Sequence, residues 1–181
     1  MKETIKKIAI NGFGKLGMHI FQYILESEAY KNGEVDVVAI NEIVADIPSI
    51  VYSLKHDSTK YNLIDRGHTI EFKEFTDFVD WRVEPVKVVN IGGIDFKFYP
   101  KANPVGALLI DGKEIKVYAE PFIDHLPWGT LGIDTVYECS NVSVDEAQHH
   151  LHTRDGGAGA KHLIYGCPVA AIPMTLTMMT I

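Results

Sequence analysis

The sequence is poor in cysteine. Cys139 and Cys167 are the only two in 181 residues, and no Cys-x-x-Cys pair occurs. A disulfide framework or a cysteine-based zinc site has no basis at that count and spacing. Positive charge is also scarce: 17 Lys and Arg stand against 24 Asp and Glu, for a net charge of −7. That sign repels a nucleic-acid backbone, so no nucleic-acid partner is expected. No run reaches the ~20 apolar residues of a membrane-spanning helix, so no membrane span is expected. Met1-Lys2-Glu3-Thr4 lacks signal- or transit-peptide character, which makes a cytoplasmic location the expectation. Repeats and low-complexity tracts are absent. A metal set is missing too. His149, His150 and His152 fall on one predicted helix, with His149 and His152 spaced to share a face. No cysteine or carboxylate at ligand spacing joins them, so they read as a solvated polar face, with no metal expected. Asp77 and Asp80 read as surface charges.

What is present is a core and a motif. Apolar residues make up 46% of the chain, enough for one ordinary folded domain. The motif is Asn11-Gly12-Phe13-Gly14-Lys15-Leu16-Gly17, directly after the apolar run Ile8-Ala9-Ile10. A buried strand, a Gly-x-Gly-x-x-Gly turn and a helix form the dinucleotide fingerprint. Gly12 makes the turn, Gly14 lets backbone approach a pyrophosphate, and Gly17 lets helix and strand pack closely. The helix N-terminus offers N–H groups and a positive dipole end to phosphate. A second apolar run, Val35-Asp36-Val37-Val38-Ala39-Ile40, ends in Asn41-Glu42. An acidic residue at that point hydrogen-bonds a ribose and repels the 2′-phosphate of NADP, which favours NAD.

Periodicity and turn signals give an alternating order. Strands are predicted over 4–10 and 35–40, and helices over 16–27 and 46–54. On the first helix Leu16, Ile20, Tyr23 and Ile24 are expected to share the buried face. Short strands follow at 69–72, 83–89 and 94–99. Asp111-Gly112 marks a tight hairpin between 108–110 and 114–119. A buried strand over 134–139, ending in Cys139, precedes a helix over 144–152 that Ser143 and Glu146 open as a capping box. The last strand is 162–165. The fold class is α/β: a Rossmann-like, doubly wound, mostly parallel sheet with an additional antiparallel β insertion.

These residues resemble a known family, the phosphorylating glyceraldehyde-3-phosphate dehydrogenases. The resemblance rests on 11–17, on Val37-Val38-Ala39-Ile40-Asn41-Glu42, on Ser53-Leu54-Lys55-His56-Asp57-Ser58 and on the hairpin around Asp111-Gly112. Its most specific part is Leu126-Pro127-Trp128-Gly129. Glu138-Cys139-Ser140, Gly159-Ala160-Lys161-His162 and Pro168 follow in order. The resemblance implies one NAD-binding Rossmann domain over 1–181, a β-rich insertion over 65–104 that the family lacks, and a divergent tail over 169–181. It implies NAD as cofactor, held by Asn11, Gly12, Phe13, Gly14, Lys15, Leu16, Gly17, Asn41, Glu42 and Ser140.

Departures from the family bear on activity. The family's Ser-Cys-Thr-Thr-Asn catalytic segment is absent from these 181 residues, as are its histidine base and its phosphate-binding arginine, so no catalytic residue is assigned. Cys167 has no neighbouring base or cation and reads as a buried structural cysteine; Cys139, in mid-strand, is less reactive still. Lys15 and Met18 stand where the family has arginines. Pro121 occupies another arginine position, and Asn141 a glycine one. Two readings stay open. One is a non-catalytic NAD-binding relative, a pseudoenzyme serving as subunit of a larger assembly. The other is a fragment or subunit of an active NAD-dependent phosphorylating aldehyde dehydrogenase. Protein partners or a homo-oligomer are expected through the insertion, with Phe78 and Trp81, and through the Met-rich tail from Met174 to Met179.

Overall fold

A computed structural model describes residues 4–43, 46–56, 62–75, 87–91, 94–98, 101–140, 151–153 and 158–166, with backbone alone at 87–91 and 94–98. The elements in chain order are β1 (Lys6–Asn11), α1 (Lys15–Glu26), α2 (Glu28–Lys31), β2 (Val35–Asn41), α3 (Ile47–His56) and β3 (Ile70–Glu74). Then come β4 (Lys87–Ile91), β5 (Ile94–Phe98), β6 (Gly106–Ile110), β7 (Lys113–Tyr118), α4 (Trp128–Leu131), β8 (Thr135–Glu138) and β9 (His162–Tyr165). Seven strands form one sheet in the order β3-β6-β7-β2-β1-β8-β9. The block from β7 to β9 is parallel, whereas β6 and β3 join it antiparallel. β4 and β5 pair only with each other. The expected insertion is therefore split. Its first strand, β3, extends the main sheet, and its other two form a separate ribbon.

Side chains alternate across the sheet, and both faces are covered. Ile8, Ile10, Val37, Ile40, Ile115 and Val117 pack on one side with Phe21, Leu25, Ile50 and Leu54 from α1 and α3. Ala9, Ala39, Tyr118 and Val136 pack on the other with Leu126, Trp128, Ile133, Ala158 and Ala160. Leu126-Pro127-Trp128-Gly129 thus works as a core plug: Trp128 is wholly buried and meets the Tyr118 ring edge-on at 6.0 Å.

The orientation of α1 corrects the expected face. Gly17, Phe21, Ile24 and Leu25 are buried, while Leu16 and Tyr23 are exposed. Gly17 sets this rotation. A Cβ there would overlap the Gly12 carbonyl and lie 3.3 Å from Ile10 Cγ2, so only glycine lets the helix sit against β1. The residues four, seven and eight places later then face the sheet. The hairpin is as expected: Asp111 and Gly112 both take positive φ, 51° and 79°, as a two-residue turn between right-twisted strands demands. Residues 151–153 are helical. The capping box at Ser143 and Glu146, along with Asn141, His149, His150, Asp77, Asp80, Phe78, Trp81, Cys167 and the tail, lies outside the described residues. Among those described, no helix is long and apolar enough to cross a membrane, and no group of three potential ligands could hold a metal.

Candidate functional site

The carboxyl ends of β1, β2 and β8 meet where the strand order reverses about β1, the place where an open α/β sheet leaves a crevice. A cavity of about 490 Å³ lies there. Of the ten expected cofactor residues, Asn11, Gly12, Gly14, Lys15, Leu16, Asn41, Glu42 and Ser140 line it. Phe13 and Gly17 do not. Phe13 is buried with its ring against Phe21 at 5.5 Å, and Gly17 faces β1. Both hold the turn from behind.

The turn is built for close approach. Gly12 has φ +85° and hands its N–H to Asn41 C=O at 2.8 Å; a Cβ there would lie 2.5 Å from the Cys139 carbonyl carbon. Gly14 differs: its φ is an ordinary −73°, and a Cβ would meet nothing within 4 Å. It is the N-cap of α1, with no capping side chain and no acidic residue in the first turn. The start of a twelve-residue helix thus opens onto the cavity with its dipole unneutralised, and Lys15 adds the sole basic side chain among the described lining residues. Across the turn Glu42 Oε2 accepts the Phe13 N–H at 2.7 Å. A bare glycine before a helix start, a cation and a carboxylate at the end of the second strand fit a dinucleotide: pyrophosphate at Gly14 and Lys15, ribose at Glu42.

The floor was not foreseen. Glu138 is buried, with Oε2 accepting from Asn11 Nδ2 at 2.6 Å and lying 2.9 Å from His152 Nε2. Its Oε1 accepts from the Ser140 N–H at 2.8 Å. Burial pushes this carboxyl up, but His152, Ser140 and Asn11 outweigh that and hold it below the ordinary glutamate range. Asn41 Nδ2 donates to Asn11 Oδ1 at 2.7 Å and to Glu120 C=O at 2.9 Å, and Asn41 Oδ1 accepts the Glu120 N–H at 2.9 Å. Glu120 in turn accepts from the Phe122 N–H at 2.8 Å, with His125 Nδ1 at 3.5 Å. Burial raises the Glu120 carboxyl in spite of those partners.

Two expectations are corrected here. His152 belongs to no solvated face; it is fully buried and paired with Glu138. Cys139 is not in mid-strand: β8 ends at Glu138, and Cys139 lines the cavity. Ile43, Glu120, Pro121, Ile123 and Gly166 complete the lining and were not anticipated as site residues. Their one shared signal was position, one to five residues past a strand end.

Residues 6–96 match the family described as glyceraldehyde 3-phosphate dehydrogenase, NAD binding domain. A glyceraldehyde-3-phosphate dehydrogenase of Thermotoga maritima is 31% identical over 172 residues, which are 95% of this chain and 39% of that protein. One from Clostridium acetobutylicum is 32% identical over 162 residues, 90% of this chain and 36% of that protein. The chain spans about two fifths of the length of these curated relatives. With the family's region covering β1 through most of β5 and its fingerprint lining the cavity, the chain belongs to the glyceraldehyde 3-phosphate dehydrogenase family through its NAD-binding domain.

Proposed function

We propose that the chain binds NAD in this cavity, pyrophosphate at the Gly12–Gly14 turn and adenosine ribose at Glu42. The carrying observation is the uncapped start of α1 at a bare Gly14, facing the cavity beside the Glu42 carboxylate. Isothermal titration with NAD and NADP tests it. Binding of NAD ahead of NADP is expected, and absence of NAD binding at millimolar concentration would overturn it.

The finer reading is a cofactor-binding unit that does not catalyse alone. Cys139 is the one thiol among the described lining residues. It is only 6% exposed, and no described histidine shares the cavity wall with it. A nucleophilic thiol needs a base or cation beside it and access to substrate. The 181-residue chain is expected to form no NADH from glyceraldehyde 3-phosphate, phosphate and NAD. Turnover that disappears on Cys139→Ser would sink this. The coverage of two fifths of each relative favours a second reading, in which the unit works with catalytic residues supplied elsewhere, as part of a phosphorylating aldehyde dehydrogenase. The domain layout goes with these readings: one Rossmann unit over 1–181, an insertion over 65–104, and a tail over 169–181, the last two as the surfaces for an assembly. Native mass spectrometry, with a monomer as the contrary result, tests that layout.

A further inference from the structure

Glu138, Asn11 and Asn41 close three neighbouring strands at their carboxyl ends, and the backbone of Glu120 follows β7, the fourth. The direction of every hydrogen bond among them is fixed. Asn41 is held by both backbone groups of Glu120, a donor at its Oδ1 and an acceptor at its Nδ2, and backbone groups do not exchange roles. Asn41 must therefore offer N–H to Asn11 Oδ1, and Asn11 must turn its own NH₂ toward Glu138. Three donors then converge on position 138: Ser140 N–H on one oxygen, Asn11 Nδ2 and His152 Nε2 on the other. Only a carboxylate has acceptors on both sides. Glutamine, the same size, would aim its NH₂ either at the Ser140 N–H or at the Asn11 NH₂, a donor against a donor in both orientations.

The chain of bonds leads to the other half of the cavity. Glu138 and Ser140 border it on the β8 side; Asn41 precedes Glu42 on the β2 side. We propose that Glu138 is a positioning residue for the adenosine half of the site, acting through Asn11 and Asn41, and that this role requires a carboxylate at 138. The proposal rests on the NAD-binding reading for its ligand. It requires no contact between Glu138 and that half of the ligand.

The donor logic supplies its own rescue. In Glu138→Gln the carboxylate is lost and a donor faces Asn11. In Asn11→Asp two carboxylates face each other in a buried site. In the double variant the carboxylate has moved from position 138 to position 11. The introduced glutamine accepts from Ser140 with its carbonyl oxygen. Its NH₂ donates to the introduced aspartate and to the His152 ring in its other tautomer, and that aspartate accepts from Asn41. Every bond is restored, with the directions into the glutamine NH₂ reversed.

The full chain and its three variants are titrated calorimetrically with NAD and with ADP-ribose, which carries the adenosine half alone. Glu138→Gln is expected to weaken ADP-ribose about tenfold, and NAD by a similar factor, as loss of one buried hydrogen bond does. Asn11→Asp weakens both. The double variant returns to within about threefold of wild type. Unchanged ADP-ribose affinity in Glu138→Gln, or a double variant no better than the weaker single, overturns the relay. If wild type binds neither ligand, the NAD-binding reading itself fails, and melting temperatures decide the relay alone. A double variant melting above both singles supports it; one melting at or below the lower single overturns it. If a single variant does not fold, a folded double variant supports it and an unfolded one overturns it.

Discussion

Glu42 Oε2 accepts the Phe13 N–H at 2.7 Å, so the residue assigned to the ribose also ties down the glycine turn. The two duties separate by substitution. Glu42→Gln keeps an acceptor for Phe13 and removes the charge. Its urea-unfolding free energy is expected within about 0.5 kcal/mol of wild type, while the ratio of NAD to NADP affinity falls. Glu42→Ala loses both duties and costs about 1–2 kcal/mol of stability, as a part-buried N–H left unpaired does. Equal NAD preference in Glu42→Gln and wild type would remove Glu42 from the ribose site.

The glycines predict opposite outcomes for one and the same change. Gly14→Ala meets no neighbouring atom and no strained backbone, so stability is expected within about 1 kcal/mol of wild type. The new methyl stands in the pyrophosphate's place, and NAD affinity falls sharply. Gly17→Ala drives a methyl into the Gly12 carbonyl, so α1 must lift from β1. Thermal melting and titration should both fall there, by about 2–3 kcal/mol in stability on the scale of overpacked cores.

Trp128 predicts a structural cost without a site effect. Trp128→Ala empties the centre of the second core, at about 3–5 kcal/mol. Trp128→Phe should cost clearly less, because Trp128 Nε1 has no hydrogen-bond partner among the described residues to lose. Chemical unfolding checks the order; a Phe variant as unstable as the Ala variant would contradict it.

Glu138 and Glu120 predict pH dependences of opposite sign. The Glu138 carboxyl is depressed in the fold, so its stabilisation is present above the unfolded value near 4.5 and is lost as pH falls through the folded one. The Glu120 carboxyl is raised, so its contribution is full below the unfolded value and fades as pH rises through the folded one. Melting temperatures of Glu138→Gln and Glu120→Gln, each referred to wild type from about pH 3 to 7, should therefore diverge. The Glu138→Gln deficit shrinks toward acid and the Glu120→Gln deficit shrinks toward neutrality, each by about 3 °C. Parallel curves would be the contrary result.

The parts legible in the sequence are those that local chemistry dictates. Ile8-Ala9-Ile10 and Val37–Ile40 are apolar on both faces because a central parallel strand is covered on both. Asp111-Gly112 announces its own backbone angles. Gly12 and Gly14 are spaced for a turn that brings them to one cavity wall. What stayed hidden depends on distant pairing. His152 looks like its polar neighbours until Glu138, fourteen residues earlier, is placed under it by the β8–β9 crossover. Glu120 carries no periodic signal, because it follows β7 in a loop held by Asn41. The rotation of α1 follows from what Gly17 touches; the apolar stripe alone permits several.

The bond from Asn11 to Glu138 joins residues 127 positions apart. A nascent chain that has emerged through β7 holds β1, β2 and the hairpin, with the edge of β1 that takes β8 still unpaired. Closing so long a loop is slow and entropically costly, so β8 is expected to arrive late. Until it does, the crevice has one bank. A dinucleotide arriving during synthesis would find the adenosine bank first and a complete berth only afterwards. Ligand capture therefore timestamps the end of folding, and a pulse of labelled NAD added to ribosome-bound chains of increasing length should be retained only once Glu138 and Ser140 have cleared the exit tunnel.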